Sequence, residues 1–384
     1  MKIIIASDSF KGSLSSIEVA QAATRGIKAV YPDCEVVAVN VADGGEGTVE
    51  AVVEALGGAI ITTTVSDPLS RPIQARYGIA GDTAIIEMAA ASGLPLLRPE
   101  ERNPWLTSTH GTGEMIMDAI RRGCRHFLVG IGGSATNDAG TGMLQAMGFR
   151  FYDIHEQEIL HCCGGTMHEI ARIDDTQVPE SLRQSVFTIA CDVDTPFCGK
   201  EGAAPVFAPQ KGADTTMVQR LDAGMASLAQ VIEYKYHINI VPIAGAGAAG
   251  GMGGAFRAFL NATLKRGIDM VLDAIHFDQT IQHADLILTG EGKIDFQTAK
   301  GKTAAGVLAR AKAQDIPVIA IGGCVEMCDS VEQLGFAGIY PILEEKVPLE
   351  VAMQPDFAAS NVEKTVKKIC TYHKFSVPLQ PEIK

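Results

Sequence analysis

Basic residues are scarce relative to acidic ones in this chain. It has 32 lysines and arginines against 45 aspartates and glutamates, which gives a formal net charge of -13. A nucleic-acid or membrane-surface partner would require a basic face, and we therefore expect neither nucleic acid nor membrane as a partner. A small anionic ligand stays compatible with this balance, because such a ligand responds only to local charge.

Long hydrophobic runs and cysteines at C-x-x-C spacing are also missing. No segment stays apolar for long enough to span a bilayer. The N-terminal run in MKIIIASDSFKG is too short for a signal peptide, and Asp8 follows it directly. The nine cysteines are scattered without a C-x-x-C pair, which is typical of reduced thiols. We therefore expect a cytoplasmic protein.

The order of apolar and helical segments indicates an α/β protein. Apolar runs alternate with helical patterns most clearly at the two ends of the 384-residue chain, as in a mostly parallel sheet. We expect a Rossmann-like doubly wound parallel sheet domain, residues 1–65 plus 285–384, with a second α/β domain, 66–284, inserted into it. The strands expected in the first domain are 2–6, 35–39, 59–64, 285–289, 316–321 and 338–342. The helices expected there are 15–30, 47–56, 302–313, 329–334 and 355–372.

The segment Ile287–Leu308, ILTGEGKIDFQTAKGKTAAGVL, is the most informative part of the sequence. It runs from an apolar strand through a glycine-rich loop with lysines and carboxylates into a helix. Backbone N–H groups and the start of a helix suit an anion, and the carboxylates add metal ligands. The Walker A spacing fails, because Phe296 stands five residues before Gly301 where glycine is required. The segment therefore indicates phosphate handling outside the common P-loop class.

Further polar, glycine-bearing loops are expected at the same edge of the sheet. In a doubly wound sheet the first and fourth strands are neighbours, and ligands bind beyond their carboxyl ends. The loops there are Ser7–Ser13 and Gly290–Asp295, and Ala42–Thr48 follows the second strand beside them. Taken singly, each loop also fits a simple turn or a helix cap, with Asp8 or Ser13 as the capping residue. Together the three loops favour a ligand site.

Several charged residues suit phosphoryl transfer. This chemistry requires donors for phosphate oxygens, a cation between phosphates and a group that orients the attacking hydroxyl. Asp192 and Asp194 follow an apolar strand and are candidates for the base and a metal ligand, although one of them also fits a capping role. Lys11 or Lys302 would neutralise phosphate charge, and Arg71 would pair a substrate carboxylate through its planar fork.

Two glycine patterns support a rival interpretation, an NAD(P)-dependent oxidoreductase acting on a small hydroxy acid. Gly130–Ala135 fits G-x-G-x-x-A between a strand and a helix expected at 138–147, and Asp153 stands where a dinucleotide-binding fold has its ribose acid. Gly245–Gly250 is a second match. Because the chain contains 40 glycines, chance matches are expected, and the kinase interpretation is preferred.

Six motif-bearing segments follow one another along nearly the whole chain. They are IASDSFKGSLSSIEVAQAATRGI, VADGGEGTVEAVV, DPLSRP, GIGGSATNDAGTGML, CDVDTPF and LTGEGKIDFQTAKGKTAAGVL. In this order they resemble the type 1 family of bacterial glycerate kinases. The resemblance implies ATP- and Mg²⁺-dependent transfer of the γ-phosphoryl group to a hydroxyl of D-glycerate, in a cleft between two α/β domains. It favours 2-phosphoglycerate over 3-phosphoglycerate as the product formed with ADP. Ser70, in DPLSRP, stands where the family more often has glycine.

The residue patterns and the resemblance together imply roles for individual residues. The catalytic group would be Asp192, which orients or deprotonates the glycerate hydroxyl, with Asp295 as the second candidate and Lys11 beside the phosphate. The substrate-binding residues would be Ser9, Ser13, Arg71, Asp43, Gly44, Gly45 and Glu46. The residues at the nucleotide would be Gly132, Gly133, Ser134, Asn137, Asp138, Gly290, Gly292 and Lys302. The ligands of Mg²⁺ would be Glu291 and Asp295.

Overall fold

The structure, a computed structural model, describes residues 1–343, 345 and 347–372. The chain divides into two compact units. The first unit combines Met1–Asp43 with the chain from Val271 onward, and the second unit, Gly44–Met270, lies between these two segments in the sequence. Within the described ranges, no helix combines the length and the apolar character needed to cross a membrane.

Strands and helices alternate through most of the chain. The strands are β1 (Lys2–Ser7), β2 (Glu35–Ala38), β3 (Ala59–Ser66), β4 (Pro72–Ala80), β5 (Thr83–Glu87), β6 (His126–Gly130), β7 (Arg150–Tyr152), β8 (Arg172–Asp174), β9 (Val186–Ala190), β10 (Thr263–Lys265), β11 (Leu286–Ile294), β12 (Val318–Val325) and β13 (Gly338–Pro341).

The helices are α1 (Ser16–Lys28), α2 (Thr48–Leu56), α3 (Ala89–Ser92), α4 (His110–Arg121), α5 (Thr141–Ala146), α6 (Glu180–Arg183), α7 (Ala203–Phe207), α8 (Thr215–Tyr236), α9 (Ala248–Leu260), α10 (Gly267–Ala274), α11 (Phe277–Thr280), α12 (Thr303–Lys312), α13 (Asp329–Glu332), α14 (Leu349–Ala352) and α15 (Pro355–Tyr372). Short 3₁₀ turns lie at Leu94–Leu96, Pro99–Glu101, Gly164–Glu169, Pro209–Lys211 and Thr298–Lys300.

The first unit is built on a parallel sheet with the strand order β13-β12-β11-β1-β2. The side chains of Ile3, Ile4 and Ile5 in β1 are fully buried, as expected for a parallel strand covered on both faces. β1 and β11 are neighbours, with Ser7 opposite Gly290. The expected adjacency of the first strand and the strand that follows residue 284 is confirmed, and it brings the carboxyl ends of these strands together.

The prediction of six strands in this sheet is wrong for one strand. The apolar run at 59–64 does form a strand, β3, but β3 pairs antiparallel with β4 at the edge of the other sheet. Most of its side chains are partly or fully exposed, so this run is not covered on both faces as a central parallel strand is. The hairpin with β4 therefore takes β3 away from β1 and β2, and the first sheet has five strands within the described residues.

The expected loop Gly290–Asp295 is also mostly wrong as a structural prediction. β11 does not end at residue 289 but continues to Ile294, because it stays paired with β12, where Val325 lies opposite Ile294. Glu291 and Gly292 are therefore strand residues. The chain turns only after β11, through the 3₁₀ turn Thr298–Lys300, before α12 begins at Thr303.

Local sequence explains the position of α1. The Ser15 side chain accepts a hydrogen bond from the Glu18 backbone N–H, and the Glu18 carboxylate accepts one from the Ser15 backbone N–H, which forms a capping box. α1 packs against α15 at Gly26, where an added Cβ would lie 2.6 Å from the Glu363 carbonyl oxygen. The α15 bounds agree with the helix expected at 355–372.

The second unit is built on a mixed sheet with the strand order β10-β9-β6-β5-β4-β3. The strands β5, β6, β9 and β10 run parallel, whereas β3, β4 and β5 are joined as antiparallel neighbours. Its core includes the stacked rings of Phe127 and Phe187, whose centroids lie 4.7 Å apart. A separate two-stranded sheet is formed by β7 and β8. The structure therefore contains two α/β units, one with a parallel sheet and one with a mixed sheet.

Candidate active site

A cavity of about 470 Å³ lies in the first unit, where β1 ends and where β11 approaches its end. Its polar lining residues are Asp8, Ser9, Lys11, Ser13, Asp43, Glu291, Gly292, Lys293 and Lys302. Apolar lining comes largely from the chain that follows β13 and includes Ile342, Leu343, Leu349, Ala352 and Met353. Residues that the sequence analysis singled out on three separate stretches therefore line one cavity.

Asp8 directly follows β1 and is only 5% exposed. Its Oδ1 accepts a hydrogen bond from the Ser9 backbone N–H at 2.7 Å, and its Oδ2 accepts one from Thr303 Oγ1 at 2.9 Å. Burial and the nearby Asp43 carboxylate raise the pKa of Asp8 above its ordinary value. Thr303 is the first residue of α12, so Asp8 connects the end of β1 to the start of that helix.

Glu291 brings a second buried carboxylate to the cavity and is 6% exposed. Burial raises the pKa of Glu291 to about 7, against the opposing effects of a hydrogen bond with Thr298 and the charge of Lys302. Its Oε1 atom is buried and has no hydrogen-bond partner within the described part of the chain. A buried carboxylate oxygen without a partner is costly, and a bound cation would satisfy it.

Asp295, expected as a metal ligand and second catalytic candidate, is not among the residues that line this cavity. Its Oδ1 accepts a hydrogen bond from the Gln297 backbone N–H at 2.8 Å, and its Oδ2 lies 3.3 Å from Lys293 Nζ. Burial alone would raise its pKa, but the Gln297 hydrogen bond and Lys293 hold the pKa of Asp295 below its ordinary value. Asp295 therefore organises the turn after β11, and its negative charge, like that of Asp8, contributes to raising the pKa of Glu291.

Three lysines line the cavity, and one of them, Lys293, is paired with Asp295 and Glu326. Lys11 Nζ lies 3.4 Å from Asp43 Oδ2, and the Lys11 side chain is largely exposed. Lys302 precedes α12 as its N-cap residue, and its Nζ donates a hydrogen bond to Gln297 Oε1 at 2.9 Å. The first N–H groups of a helix and adjacent ammonium groups attract anions. This side of the cavity therefore suits phosphate.

The remaining predicted residues of the first unit divide into lining and packing residues. Ser9, Ser13 and Gly292 line the cavity, and Ser13 Oγ is buried without a hydrogen-bond partner in the described ranges. Gly290 does not line it. An added Cβ at Gly290 would lie 2.8 Å from Ile321 Cγ1 and 2.9 Å from Ser7 Oγ, so this glycine permits close packing within the sheet layer.

In the second unit, the loop Gly132–Asp138 follows β6, and a buried lysine donates hydrogen bonds to it. Lys211 is 1% exposed, and its Nζ donates hydrogen bonds to Ser134 Oγ and to the Thr136 carbonyl oxygen, both at 2.6 Å. Burial lowers the pKa of Lys211 to about 7, against the opposing charge of Asp138. Gly132 and Gly133 are exposed at the outer end of the loop, and Gly133 has φ +74°.

Asn137 and Asp138, both expected at the nucleotide, are fully buried. Asp138 Oδ2 accepts hydrogen bonds from Thr109 N, Thr109 Oγ1 and Gly142 N, and Oδ1 accepts one from Gly140 N. Asn137 donates its Nδ2–H to Met225 Sδ at 3.3 Å. The contacts of Asp138 are thus those of a residue that holds the loop in shape.

The loop Gly44–Gly47 packs against the loop after β6. An added Cβ at Gly130 would lie 2.2 Å from the Gly44 carbonyl oxygen, and one at Gly132 would lie 4.0 Å from Gly45 Cα. The structure therefore brings the expected residues Gly44, Gly45 and Gly132 together. Glu46, the fourth expected residue of this region, is exposed.

α2 begins directly after this loop, and a carboxylate of the protein accepts a hydrogen bond from a backbone N–H in its first turn. Glu87, at the end of β5, accepts a hydrogen bond on Oε1 from the Val49 backbone N–H at 3.0 Å. Burial raises the pKa of Glu87 to about 7, while its hydrogen bond with Val49 acts in the opposite direction. The positive end of α2 is therefore satisfied by the protein itself.

Asp192, expected as the catalytic base, is exposed at the carboxyl end of β9. Its Oδ1 accepts a hydrogen bond at 2.9 Å from the backbone N–H of Gly267, the first residue of α10. An added Cβ at Gly44 would lie 2.8 Å from Gly267 Cα, so Asp192 and the Gly44–Gly47 loop lie at the same end of the unit. The capping role considered for this aspartate pair is thus present at Asp192.

Arg71, expected to pair a substrate carboxylate, is engaged by two carboxylates of the protein. It donates its Nε–H to Asp67 Oδ2 at 2.6 Å and an Nη1–H to Glu101 Oε1 at 2.7 Å. Ser70 precedes it with φ +63°, a left-handed conformation that favours glycine. The turn forms around the buried Asp67, whose Oδ1 accepts hydrogen bonds from the Leu69 and Arg71 backbone N–H groups.

Three residues of these sites were missed as candidates in the sequence. Asp8 was considered only as a cap, although its position directly after the first strand was a usable signal. Glu87 ends an apolar strand in the same way. Lys211 lies in the segment PQKG, which reads as an exposed turn, and no local signal indicates its burial.

The structure does not support the dinucleotide-binding interpretation. β7, which ends before Asp153, pairs antiparallel with β8 in a separate sheet and does not continue the sheet of β6. Asp153 Oδ1 accepts hydrogen bonds from the His155 and Gln157 backbone N–H groups within a turn. The second glycine pattern follows turns rather than a strand, and it enters α9 through residues with positive φ. Neither pattern has the strand, turn and helix context that such a site requires.

Comparison with known proteins gives a consistent result. Residues 3–374 match the glycerate kinase family. The chain is similar to a glycerate kinase of Bacillus cereus, with 46% identity over 98% of this chain and 99% of that protein. It is 44% identical to the glycerate 2-kinase of Escherichia coli over 92% and 93% of the two chains. A solved structure from Salmonella typhimurium LT2, assigned as a glycerate kinase 2, has 43% identity and a TM-score of 0.88 over 97% of each chain. The chain belongs to the glycerate kinase family.

Proposed function

We propose that this protein is an ATP-dependent glycerate kinase that transfers the γ-phosphoryl group of ATP to a hydroxyl of D-glycerate. The observation that carries this proposal is membership of the glycerate kinase family over nearly the whole chain. The cavity of the first unit supports it, because carboxylates and lysines line it together. The similarity to the Escherichia coli glycerate 2-kinase supports the 2-hydroxyl as the acceptor and 2-phosphoglycerate as the product, with 3-phosphoglycerate as the alternative.

Mg²⁺ fits the carboxylates of the first-unit cavity. Mg²⁺ is usually held by one or two carboxylates together with water and substrate phosphates. The described residues contain no cluster of three or more His, Cys, Asp or Glu side chains arranged for a metal, so the protein would supply at most two such ligands. Glu291, with its unsatisfied buried Oε1, and Asp8 would hold the ion, whereas Asp295 faces Lys293. An ion held by these residues would supply positive charge that neutralises the charge of the phosphates.

The protein's own residues would position the two substrates. Lys11 and Lys302 would bind phosphate oxygens and stabilise the charge that develops during transfer. Ser9, Ser13, Asp43 and Gly292 line the same cavity and would contact substrate or nucleotide.

In the second unit, Gly45, Gly132, Gly133 and Ser134 are exposed or partly exposed near one end of the sheet, where the buried Gly44 packs against Gly130. Asp192 stays our first candidate for orienting the glycerate hydroxyl, since it is exposed at that end. We further propose that the two units act as two domains, the second inserted into the first.

The free state of the nine cysteines supports a reducing, cytoplasmic setting.

The proposed activity is tested by coupled detection of ADP from the purified protein with Mg-ATP. We expect ADP formation that requires D-glycerate, and much slower formation with L-glycerate or with no acceptor. A nicotinamide-dependent oxidation of a hydroxy acid, with no ADP formed, would instead refute the kinase assignment.

A further inference from the structure

One part of the first-unit cavity is lined by apolar side chains, which would contribute little to the binding of glycerate. Its lining includes the apolar side chains of Ile342, Leu343, Leu349, Ala352 and Met353, here called the apolar wall. Leu349 is 74% exposed although it is a leucine. Solvent-exposed apolar side chains that line a cavity together with a few polar groups are typical of small-molecule sites.

The apolar wall is continuous with the polar loop that follows β1. Met353 and Gly12 are in close contact, because an added Cβ at Gly12 would lie 2.8 Å from Met353 Cε. Gly12 has φ +77°, which a glycine adopts without strain. The neighbouring residues Lys11 and Ser13 line the same cavity. A ligand in this cavity therefore meets apolar carbon at one part of its surface and charged groups at another.

The two substrates of the proposed reaction differ in how well they match a cavity that has both an apolar and a charged part. Glycerate is a small molecule in which every carbon bears oxygen, so it gains little from an apolar surface. A nucleotide combines a flat base with an anionic phosphate chain, and a cavity of about 470 Å³ falls in the size range of sites for ligands of that kind. Lys11, Lys302 and the start of α12 provide the charge that complements its phosphates.

We infer that the first-unit cavity is the nucleotide subsite, with the base against the apolar wall and the phosphates at Lys11 and Lys302. This inference rests on the proposed kinase function and assigns one of its two substrates to one unit. The carboxylates Asp8 and Glu291 lie among the same lining residues, where a divalent cation would accompany the phosphates.

The test separates the base from the phosphates by using two probes, Mg-ADP and inorganic tripolyphosphate with Mg²⁺. Both are titrated by calorimetry into the full-length protein without glycerate. The wall variants are Leu349→Gln and Met353→Gln, which add polarity without charge. Ile17→Gln is the matched control, since Ile17 is a 41% exposed apolar residue of the same unit outside the cavity. Lys302→Ala tests the phosphate side.

We expect each wall variant to weaken Mg-ADP binding by about threefold to tenfold, as burial of part of an apolar side chain implies. Tripolyphosphate binding should stay within twofold of the unsubstituted protein, and Ile17→Gln should change neither affinity. Lys302→Ala should weaken both probes. Wall variants that bind Mg-ADP as tightly as the unsubstituted protein, or that lose both probes equally, would overturn the inference.

These titrations need no turnover, so they distinguish this inference from the proposed activity. If ADP binding depends on the apolar wall but the protein forms no ADP from ATP in the presence of D-glycerate, the proposed kinase activity is refuted and the nucleotide subsite is supported. If the protein phosphorylates D-glycerate but the wall variants leave its affinity for ADP unchanged, the inferred subsite is refuted and the kinase activity is supported.

Discussion

Lys211 Nζ donates a hydrogen bond at 2.6 Å to the Oγ of Ser134, a residue of the loop that follows β6. The same ammonium group donates to the Thr136 carbonyl oxygen, also at 2.6 Å. One buried side chain therefore holds two points of a loop that carries exposed glycines. The loop's conformation depends on a residue that lies more than seventy positions away in the sequence.

Lys211→Met removes these donors while keeping much of the side-chain volume. We expect a loss of about 1–3 kcal/mol in stability, because the buried Thr136 carbonyl loses its donor. Thermal unfolding measures this loss, and hydrogen exchange of residues 133–138 should become faster. Lys200→Met, at an exposed lysine of the same unit, is the control. An unchanged melting temperature together with unchanged exchange would show that the loop does not depend on Lys211.

Glu87 makes the stability of the protein depend on pH. Its pKa is raised to about 7 in the folded protein, so between about pH 4.5 and 7 the folded state binds more protons than the unfolded state. Stability due to this group therefore falls as pH rises through that window, and the full penalty is present above it. We expect Glu87→Gln to raise the melting temperature at pH 8 and to have less effect at pH 5.

The expected difference between the two pH values for Glu87→Gln is about 1–3 kcal/mol, since one pKa unit corresponds to about 1.4 kcal/mol and Glu87 keeps some contact with solvent. Glu54→Gln, on the same unit, is the control. An equal effect of Glu87→Gln at both pH values would contradict the burial of an ionised carboxylate at this position.

Ser70 is strained by its positive φ, and its replacement with glycine should relieve that strain. We expect Ser70→Gly to stabilise the protein by up to about 1 kcal/mol, because a left-handed conformation costs a residue with a Cβ about 1–2 kcal/mol and glycine loses more chain entropy. Ser181→Gly, inside α6, should destabilise instead. Comparison of the two melting temperatures checks the sign, and destabilisation by Ser70→Gly would refute the strain argument.

Glu291→Gln tests the proposed cation site. The amide keeps the size of the side chain but loses the carboxylate charge that Mg²⁺ prefers. We expect the Mg²⁺ concentration that gives half-maximal ADP formation to rise by at least about tenfold. The control is Glu326→Gln, because Glu326 is an exposed partner of Lys293 outside the cavity lining. A Mg²⁺ requirement that stays the same in Glu291→Gln would remove Glu291 from the site.

Features that depend on nearby sequence, or on the general rules of parallel sheets, were predictable. The capping box of Ser15 and Glu18 starts α1, and the buried isoleucines of β1 mark a parallel strand. The pairing of β1 with β11 followed from the rules of doubly wound sheets, and it places Ser9, Lys11 and Glu291 around one cavity.

Features that depend on the other pairings between distant segments were not predictable. β3 joined the other sheet because it pairs with β4, and an isolated apolar run does not specify its neighbour. β11 extends past Gly290 because β12 continues beside it. The contacts of Asp295 have the same origin, since Lys293 and the Gln297 backbone N–H hold Asp295 in the turn that follows the extended β11. A buried lysine such as Lys211 is visible only once the surrounding elements are packed.

The central claim, phosphorylation of D-glycerate, is tested most directly by phosphorus NMR of the product formed from Mg-ATP and D-glycerate. We predict a new phosphate-ester resonance that is split into a doublet by the single C2 proton, as 2-phosphoglycerate requires. A triplet from two C3 protons would identify 3-phosphoglycerate and correct the position of transfer. A spectrum that shows only unchanged ATP, or inorganic phosphate released whether or not glycerate is present, would contradict the account.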